Sequence, residues 1–263
     1  MTPSTRRPRR WLAALALVAA AAGAAACVRS ARMPEPGERE PDKYLFDRGK
    51  EALDRRRWFE AREYFQRLVD QFPQSPFRQE ARLGIGDTYI GEGGYDSLIL
   101  AAEKFREFLR FFPLNERADY AQYRIALAES EQMLSPERDQ TATLSALKET
   151  EAFVQRFPNS KYMPEVLKLQ REARTRLSDS EFRVALFYFR SNWYAGVTRR
   201  LERLMADDPG YPHRDAVYYH LGETYYRIGR QKDALPLFER LIEEFQVSDY
   251  LEEAKLRIGE LTR

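Results

Sequence analysis

Trp58-Phe-Glu-Ala-Arg-Glu-Tyr-Phe-Gln-Arg-Leu-Val-Asp-Gln-Phe-Pro-Gln-Ser75 is the stretch from which the rest of the chain can be read. Counted from Ala61, Phe65 stands four residues on, Leu68 seven, Phe72 eleven and Pro73 twelve. Those offsets put one small and three apolar residues on a single helical stripe. Proline then ends the helix, because it cannot donate to the next turn. The pattern returns at Ala101, Phe105, Phe108, Phe112, Pro113 and at Ala146, Thr150, Phe153, Phe157, Pro158. It returns again at Val197, Leu201, Leu204, Asp208, Pro209 and at Ala234, Phe238, Leu241, Phe245, with Gln246 in place of proline. The five copies are spaced by 40, 45, 51 and 37 residues. A single such unit cannot bury its own stripe, so the copies are expected to stack.

Ahead of the last copy stand Tyr218, Leu221, Gly222 and Tyr225, followed by Gly229, Ala234 and Phe238. This resembles the tetratricopeptide repeat, in which small residues let two antiparallel helices approach while rings fill the space beside them. The first copy keeps Gly49, Ala61, Phe65 and Pro73; the second keeps Gly86, Tyr89, Ala101 and Phe105, with an insertion around Gly91-Glu-Gly-Gly94. A generic helical bundle is the competing reading. The expected fold is all-α: a right-handed superhelical solenoid of five tetratricopeptide-like helix hairpins with a C-terminal capping helix. From Glu165 to Trp193 there is neither Gly nor Pro, and apolar residues recur at helical spacing. One long helix is expected there, or two with a weak point at Ser178-Asp179-Ser180. In the closing helix, from Asp249 to Leu261, Leu251, Ala254, Ile258 and Leu261 are expected inward. Glu252, Glu253, Arg257 and Glu260 are expected outward.

Residues 1–26 read as a signal peptide: four arginines, an apolar run from Trp11 to Ala22, then Ala24-Ala25-Ala26 before Cys27. Cys27 is the one cysteine, so no disulfide framework exists. A lone cysteine after small residues resembles the bacterial lipobox, whose cysteine becomes the acylated first residue. It departs at Ala24, where leucine is commoner. Plain cleavage beside an incidental cysteine and a membrane span compete with acylation; a span needs about 20 apolar residues. Val28 after the cysteine resembles outer-membrane lipoproteins. Residues 27–42 form the lipidated start and a Pro-rich linker reaching about 20 Å as a coil and about 50 Å at full stretch. Residues 43–160 and 161–263 are read as two repeat halves, the second opening with the long helix.

Without its first 26 residues the chain carries 39 Lys+Arg against 41 Asp+Glu. No basic tract survives that would suit nucleic acid. The two histidines, His213 and His220, do not match a paired helical metal motif, and His220 is read as a packed or partly exposed helix residue. Gly91-Glu-Gly-Gly94 lacks the Lys-Ser/Thr of a phosphate loop and reads as a turn. No enzyme, metal or cofactor is expected.

The mature chain also resembles the BamD family of outer-membrane assembly lipoproteins. The matching runs are Phe72-Pro-Gln-Ser-Pro-Phe77, Arg138-Asp-Gln-Thr141, Arg156-Phe-Pro-Asn-Ser160, and Leu177 with Glu181, Val184-Ala185 and Tyr188. It departs at Glu116-Arg117, where the family usually has His-Pro. The resemblance implies an outer-membrane protein, lipid-anchored at Cys27 on the periplasmic side. Its implied partners are a POTRA domain of BamA, unfolded β-barrel precursors and other lipoproteins of that machinery. The segment Asn192 to Leu201, with Trp193, Tyr194 and Arg200, resembles the family's BamA contact. Tyr120, Tyr123 and Arg124 are candidates for a peptide groove, with repeat core the competing and favoured reading, for Tyr123 in particular. Another tetratricopeptide lipoprotein, scaffolding a pilus, secretion or cell-wall complex, is the alternative. The run Leu177 to Trp193 discriminates between them, because a generic repeat does not require it. Arg138 to Thr141 also reads as a plain helix cap made by Asp139 or Thr141.

Overall fold

A computed structural model describes residues 40–263; Cys27, the signal reading and the linker up to residue 39 lie outside the described residues, and Pro41 and Asp42, read as the end of the linker, already belong to the first helix. The described residues form eleven helices and no strand. They are α1 (Pro41–Asp54), α2 (Trp58–Gln71), α3 (Arg78–Glu92), α4 (Tyr95–Phe111), α5 (Ala118–Glu131), α6 (Thr141–Arg156), α7 (Met163–Arg190), α8 (Tyr194–Asp207), α9 (Arg214–Arg227), α10 (Gln231–Glu244) and α11 (Leu251–Leu261). The architecture is all-α, of the tetratricopeptide type. It packs as two compact units, one ending at Glu92 and the other running from Gly93 to Arg263. Gly93 and Gly94, both at positive φ, lie at that division. The junction between residues 160 and 161 falls inside the second unit, between α6 and α7, which pack on each other.

The stripes are buried as their spacing predicts. Ala61, Phe65 and Leu68, Ala101, Phe105 and Phe108, and Ala234, Phe238 and Leu241 are all buried. So are Ala146 and Phe153, with Thr150 between them, and Val197, Leu201 and Leu204. The residue eleven on is each time the helix's C-terminal cap. Before proline its ψ is 68° at Phe72, 59° at Phe112, 54° at Phe157 and 72° at Asp208. The proline ring excludes the helical well for the residue before it, which ends each helix at the same register. The serines of Phe-Pro-Gln-Ser75 and Phe-Pro-Asn-Ser160 then shape the turn. Ser75, Ser160 and Ser248 each accept the backbone N–H two residues on, at 3.1, 3.2 and 3.2 Å.

Turns inside hairpins share another device. The N–H groups of Arg57, Trp193 and Arg230 donate to the carbonyls of Ala52, Tyr188 and Tyr225 at 2.8, 2.9 and 2.8 Å. The residue before each donor is left-handed: Arg56 (φ 57°), Asn192 (φ 58°) and Gly229 (φ 79°). This is the helix-ending motif in which a positive φ lets the chain turn back and satisfy the last carbonyls.

In the first unit, α2 packs between α1 and α3. Phe65 lies between Gly49 of α1 and Gly84 of α3. A Cβ at either glycine would sit 2.6 Å from its ring. In the second unit each helix packs on the next, and α7 touches α5 and α6 as well as α8 and α9. It is a single uninterrupted helix of 28 residues, about 42 Å long. No weak point appears at Ser178-Asp179-Ser180, because two of those side chains are held by tertiary bonds. Ser178 donates to Asp208 at 2.7 Å, and Asp179 accepts from the Tyr211 hydroxyl at 2.6 Å.

The closing helix buries Ala254 and packs Leu251, Ile258 and Leu261 on the core. Arg257 does not simply face outward. It reaches the buried Glu223 of α9 at 2.8 and 3.0 Å, beside Arg227 at 2.9 Å. Glu260 stays exposed, as expected, while accepting from Arg257 at 2.8 Å and from the Tyr226 hydroxyl at 3.1 Å. A buried carboxylate with two guanidinium partners therefore pins the cap to the last hairpin.

Candidate functional site

The end of α7 and the start of α8 bring Arg200 and Trp193 together. Asn192 turns the chain, so the Trp193 ring meets Tyr188 edge-on at 4.5 Å. Gly196 makes this possible, since a Cβ there would sit 2.8 Å from the Tyr188 ring. Arg200, one turn further along α8, lies 5.3 Å from the centre of the same ring. Its Nη1 donates to Glu181 on α7 at 2.5 Å. Trp193 is 52% exposed and Phe187 64%, which leaves a ring surface open beside a positioned guanidinium. Tyr194 is turned aside: its hydroxyl donates to the Asn192 side chain at 2.9 Å.

Beneath Arg200, Asp208 stands where the repeat has phenylalanine, and it is 2% exposed. Arg171 of α7 donates to both its oxygens, at 2.8 and 2.5 Å, and Ser178 adds a third bond. Burial opposes ionisation of Asp208, but the bonds from Arg171 and Ser178 outweigh it and hold the carboxyl below its usual range. This polar clamp fixes α8 against α7 and so fixes where Arg200 sits. An acid at an aromatic position of the repeat was its visible signal in the sequence.

The other candidates form a separate ring cluster on α5. Tyr123 stacks on Tyr162 at 5.0 Å with 6° between planes, and Tyr120 tilts against Tyr162 at 5.6 Å. Arg117 and Arg124 lie 4.5 and 5.6 Å from the centre of the Tyr120 ring. Tyr162 comes from the α6–α7 turn, and nothing in its local sequence marked it. The Arg138–Thr141 run is a turn and not the expected cap: Asp139 accepts the Thr141 N–H at 3.0 Å and Gln140 donates to the carbonyls of Ser135 and Arg138, but the N-cap of α6 is Gln140, which makes no side-chain capping bond, and Thr141 is already helical.

A family model described as "YfiO: Outer membrane lipoprotein" matches residues 38–234, from before α1 into the first turn of α10. This chain belongs to the YfiO family. Relatives named "Outer membrane protein assembly factor BamD" match over most of their length. That of Caulobacter vibrioides is 28% identical, covering 87% of this chain and 73% of its own. That of Xylella fastidiosa is 23% identical, covering 73% and 68%, and that of Neisseria meningitidis 24%, covering 80% and 81%. These YfiO relatives are named for assembly and not for a reaction. Among the described residues of this YfiO member no helix is long and apolar enough to cross a membrane. No His, Cys, Asp and Glu there group to hold a metal ion.

His220 is packed, as its place on α9 suggested. Phe182, Phe189, Tyr219 and Tyr250 surround it at 5.8, 4.9, 5.2 and 5.5 Å, and its Nδ1 is buried without a hydrogen bond. Burial lowers its pKa from 6.5 to about 4, against the pull of Glu223. The unfolded chain therefore binds a proton at higher pH than the folded one does. Stability from this site is complete above the unfolded pKa and falls away as pH drops from 6.5 to about 4. The loss amounts to at most about 3 kcal/mol. His220→Phe is expected to lessen this acid sensitivity and to remove an unsatisfied buried nitrogen, gaining about 1 kcal/mol at neutral pH. Urea titrations near neutrality and at about pH 5 check it. An equal loss in both proteins would assign the sensitivity to other groups.

Proposed function

We propose that this chain is a non-enzymatic lipoprotein subunit of the outer-membrane β-barrel assembly machinery. Cys27 carries the acyl chains that hold it on the periplasmic face. Arg200 and Trp193, with Tyr194 behind them, dock on a POTRA domain of BamA. Tyr120, Tyr123 and Arg124 offer aromatic and cationic groups to unfolded barrel proteins, and other lipoproteins of the machinery are further partners. The name borne by the relatives supports the general role. The observation that carries the docking surface is the exposed Trp193 packed edge-on against Tyr188 with Arg200 beside it. Tryptophan, tyrosine and arginine are the side chains that dominate binding energy at interfaces, and a guanidinium forks onto carboxylates.

Arg200→Glu is expected to lower co-purification with BamA by about tenfold or more, equivalent to roughly 1.4 kcal/mol or more, with unchanged helicity. Unaltered yield across a range of salt concentrations would remove Arg200 from the interface. Cys27→Ala is expected to shift the protein from the membrane to the soluble periplasmic fraction, because acyl chains supply the anchor. Intact mass spectrometry decides the point: an unmodified cysteine in the wild-type protein would end the lipid reading.

A further inference from the structure

Beside Arg200, the helices α6, α7 and α8 enclose a cleft of about 380 Å³. Its apolar wall is Leu144, Leu147, Leu177 and Leu204, and Leu144 is 57% exposed. Arg174, Arg200 and Arg203 stand around it, each with an acid of this chain. Arg174 bonds Glu151, Arg203 bonds Asp207, and Arg200 bonds Glu181. The third pair differs from the others in how its members are held. The Arg200 side chain is 29% exposed, lies against the Tyr188 ring and has its Nε buried without a hydrogen bond. Packing therefore sets its position, whatever Glu181 does. The Glu181 side chain is 49% exposed, and its bond to Arg200 is the one that fixes its carboxylate. A half-exposed ion pair of this kind contributes little to stability.

We propose that Glu181 is an internal stand-in for a partner's carboxylate, and that the leucine-walled cleft receives an apolar side chain from the same partner segment. The ligand class is thus a protein segment carrying an acid next to a large aliphatic residue. Arg200 lines the cleft and lies against Tyr188, the ring on which Trp193 also packs, so one partner can engage both. An incoming carboxylate displaces Glu181, whose side chain swings into water, while Arg200 stays where Tyr188 holds it. The exchange lets the guanidinium remain paired in both states, so the free protein never exposes a bare charge there. Glu181 also sets specificity: a partner segment without an acid leaves the internal pair intact and gains nothing from Arg200.

This inference rests on the docking role proposed for Arg200, and the experiment separates the two. Binding of the full-length protein in detergent to the purified periplasmic POTRA region of BamA is measured for Glu181→Gln, Leu144→Asp and Arg200→Ala. Glu181→Gln is expected to tighten binding about threefold to tenfold, because glutamine keeps the shape but competes weakly for the guanidinium. Leu144→Asp, at an exposed position that the fold does not need, is expected to weaken binding about tenfold. Arg200→Ala is expected to weaken it strongly and to abolish the gain from Glu181→Gln in the double variant. If Arg200→Ala alone weakens binding while Glu181→Gln is neutral or weaker, or Leu144→Asp is neutral, the stand-in and cleft are overturned and the docking role stands. If Arg200→Ala is neutral, both fall.

Discussion

Arg171→Met is expected to destabilise the second unit by about 3–5 kcal/mol, more than Asp208→Asn. The reason is the asymmetry of the pair. Asp208 is buried, whereas Arg171 keeps 40% of its side chain in contact with water. Removing the arginine leaves a carboxylate with only Ser178 to satisfy it. Removing the acid instead, as in Asp208→Asn, leaves a guanidinium that water can still solvate, at a cost of about 1–3 kcal/mol. The pH dependence is expected to weaken when the arginine is removed. In the native protein the Asp208 carboxyl is held low, so its stabilisation is present above the ordinary carboxylate pKa and is lost as pH falls through the lower folded value. With methionine at 171 only Ser178 and the charge of Arg174 still act against burial, so the stabilisation from this carboxylate, and its loss in acid, shrink. Urea titrations at neutral and mildly acidic pH measure both effects. Equal losses for Arg171→Met and Asp208→Asn would mean that α8 relaxes enough to hydrate the site. Because α8 carries Arg200, the clamp links this stability to the proposed docking surface.

Gly49→Ala and Gly84→Ala are each expected to destabilise the first unit by about 1–3 kcal/mol. Helix propensity alone predicts the opposite, a gain of about 0.8–1.0 kcal/mol for alanine over glycine. In each variant the new methyl group would sit 2.6 Å from one edge of Phe65, and the glycine packed against the other edge leaves the ring little room to move away. Shortening the ring should rescue the variants: Phe65→Leu combined with either alanine is expected to cost less than the sum of the separate losses. Hydrogen exchange over α1 to α3 reads the first unit directly, and unchanged protection in the alanine variants would show that the three helices can separate without loss.

How far each element was legible follows from the range of the interaction that forms it. Stripes such as Ala61-Phe65-Leu68 and the Phe-Pro ends are set by bonds and contacts within about one or two helical turns, so periodicity and proline register expose them. The length of α7 was legible for the same reason, since no Gly or Pro interrupts it. The family match, including Glu181 and Tyr188, was legible from residue order alone, and so was the choice of Arg200 as a candidate. What those residues touch was not. Ser178 and Asp179 have the composition of a helix break, yet they anchor α8 and Tyr211 from inside an unbroken helix. Arg257 has the spacing of a solvent-facing residue, yet it closes on a carboxylate 34 positions away. Tyr123 owes its stacking to Tyr162, and Arg200 its setting to Tyr188 and Glu181. Polar and aromatic partners of this kind leave no period in a sequence, because their pairing depends on how helices cross in space. The sequence by itself determined which helices form, where they end and which faces they bury. Tertiary packing decided which charges are buried, which rings are shared, and that Arg200 stands paired beside an open cleft.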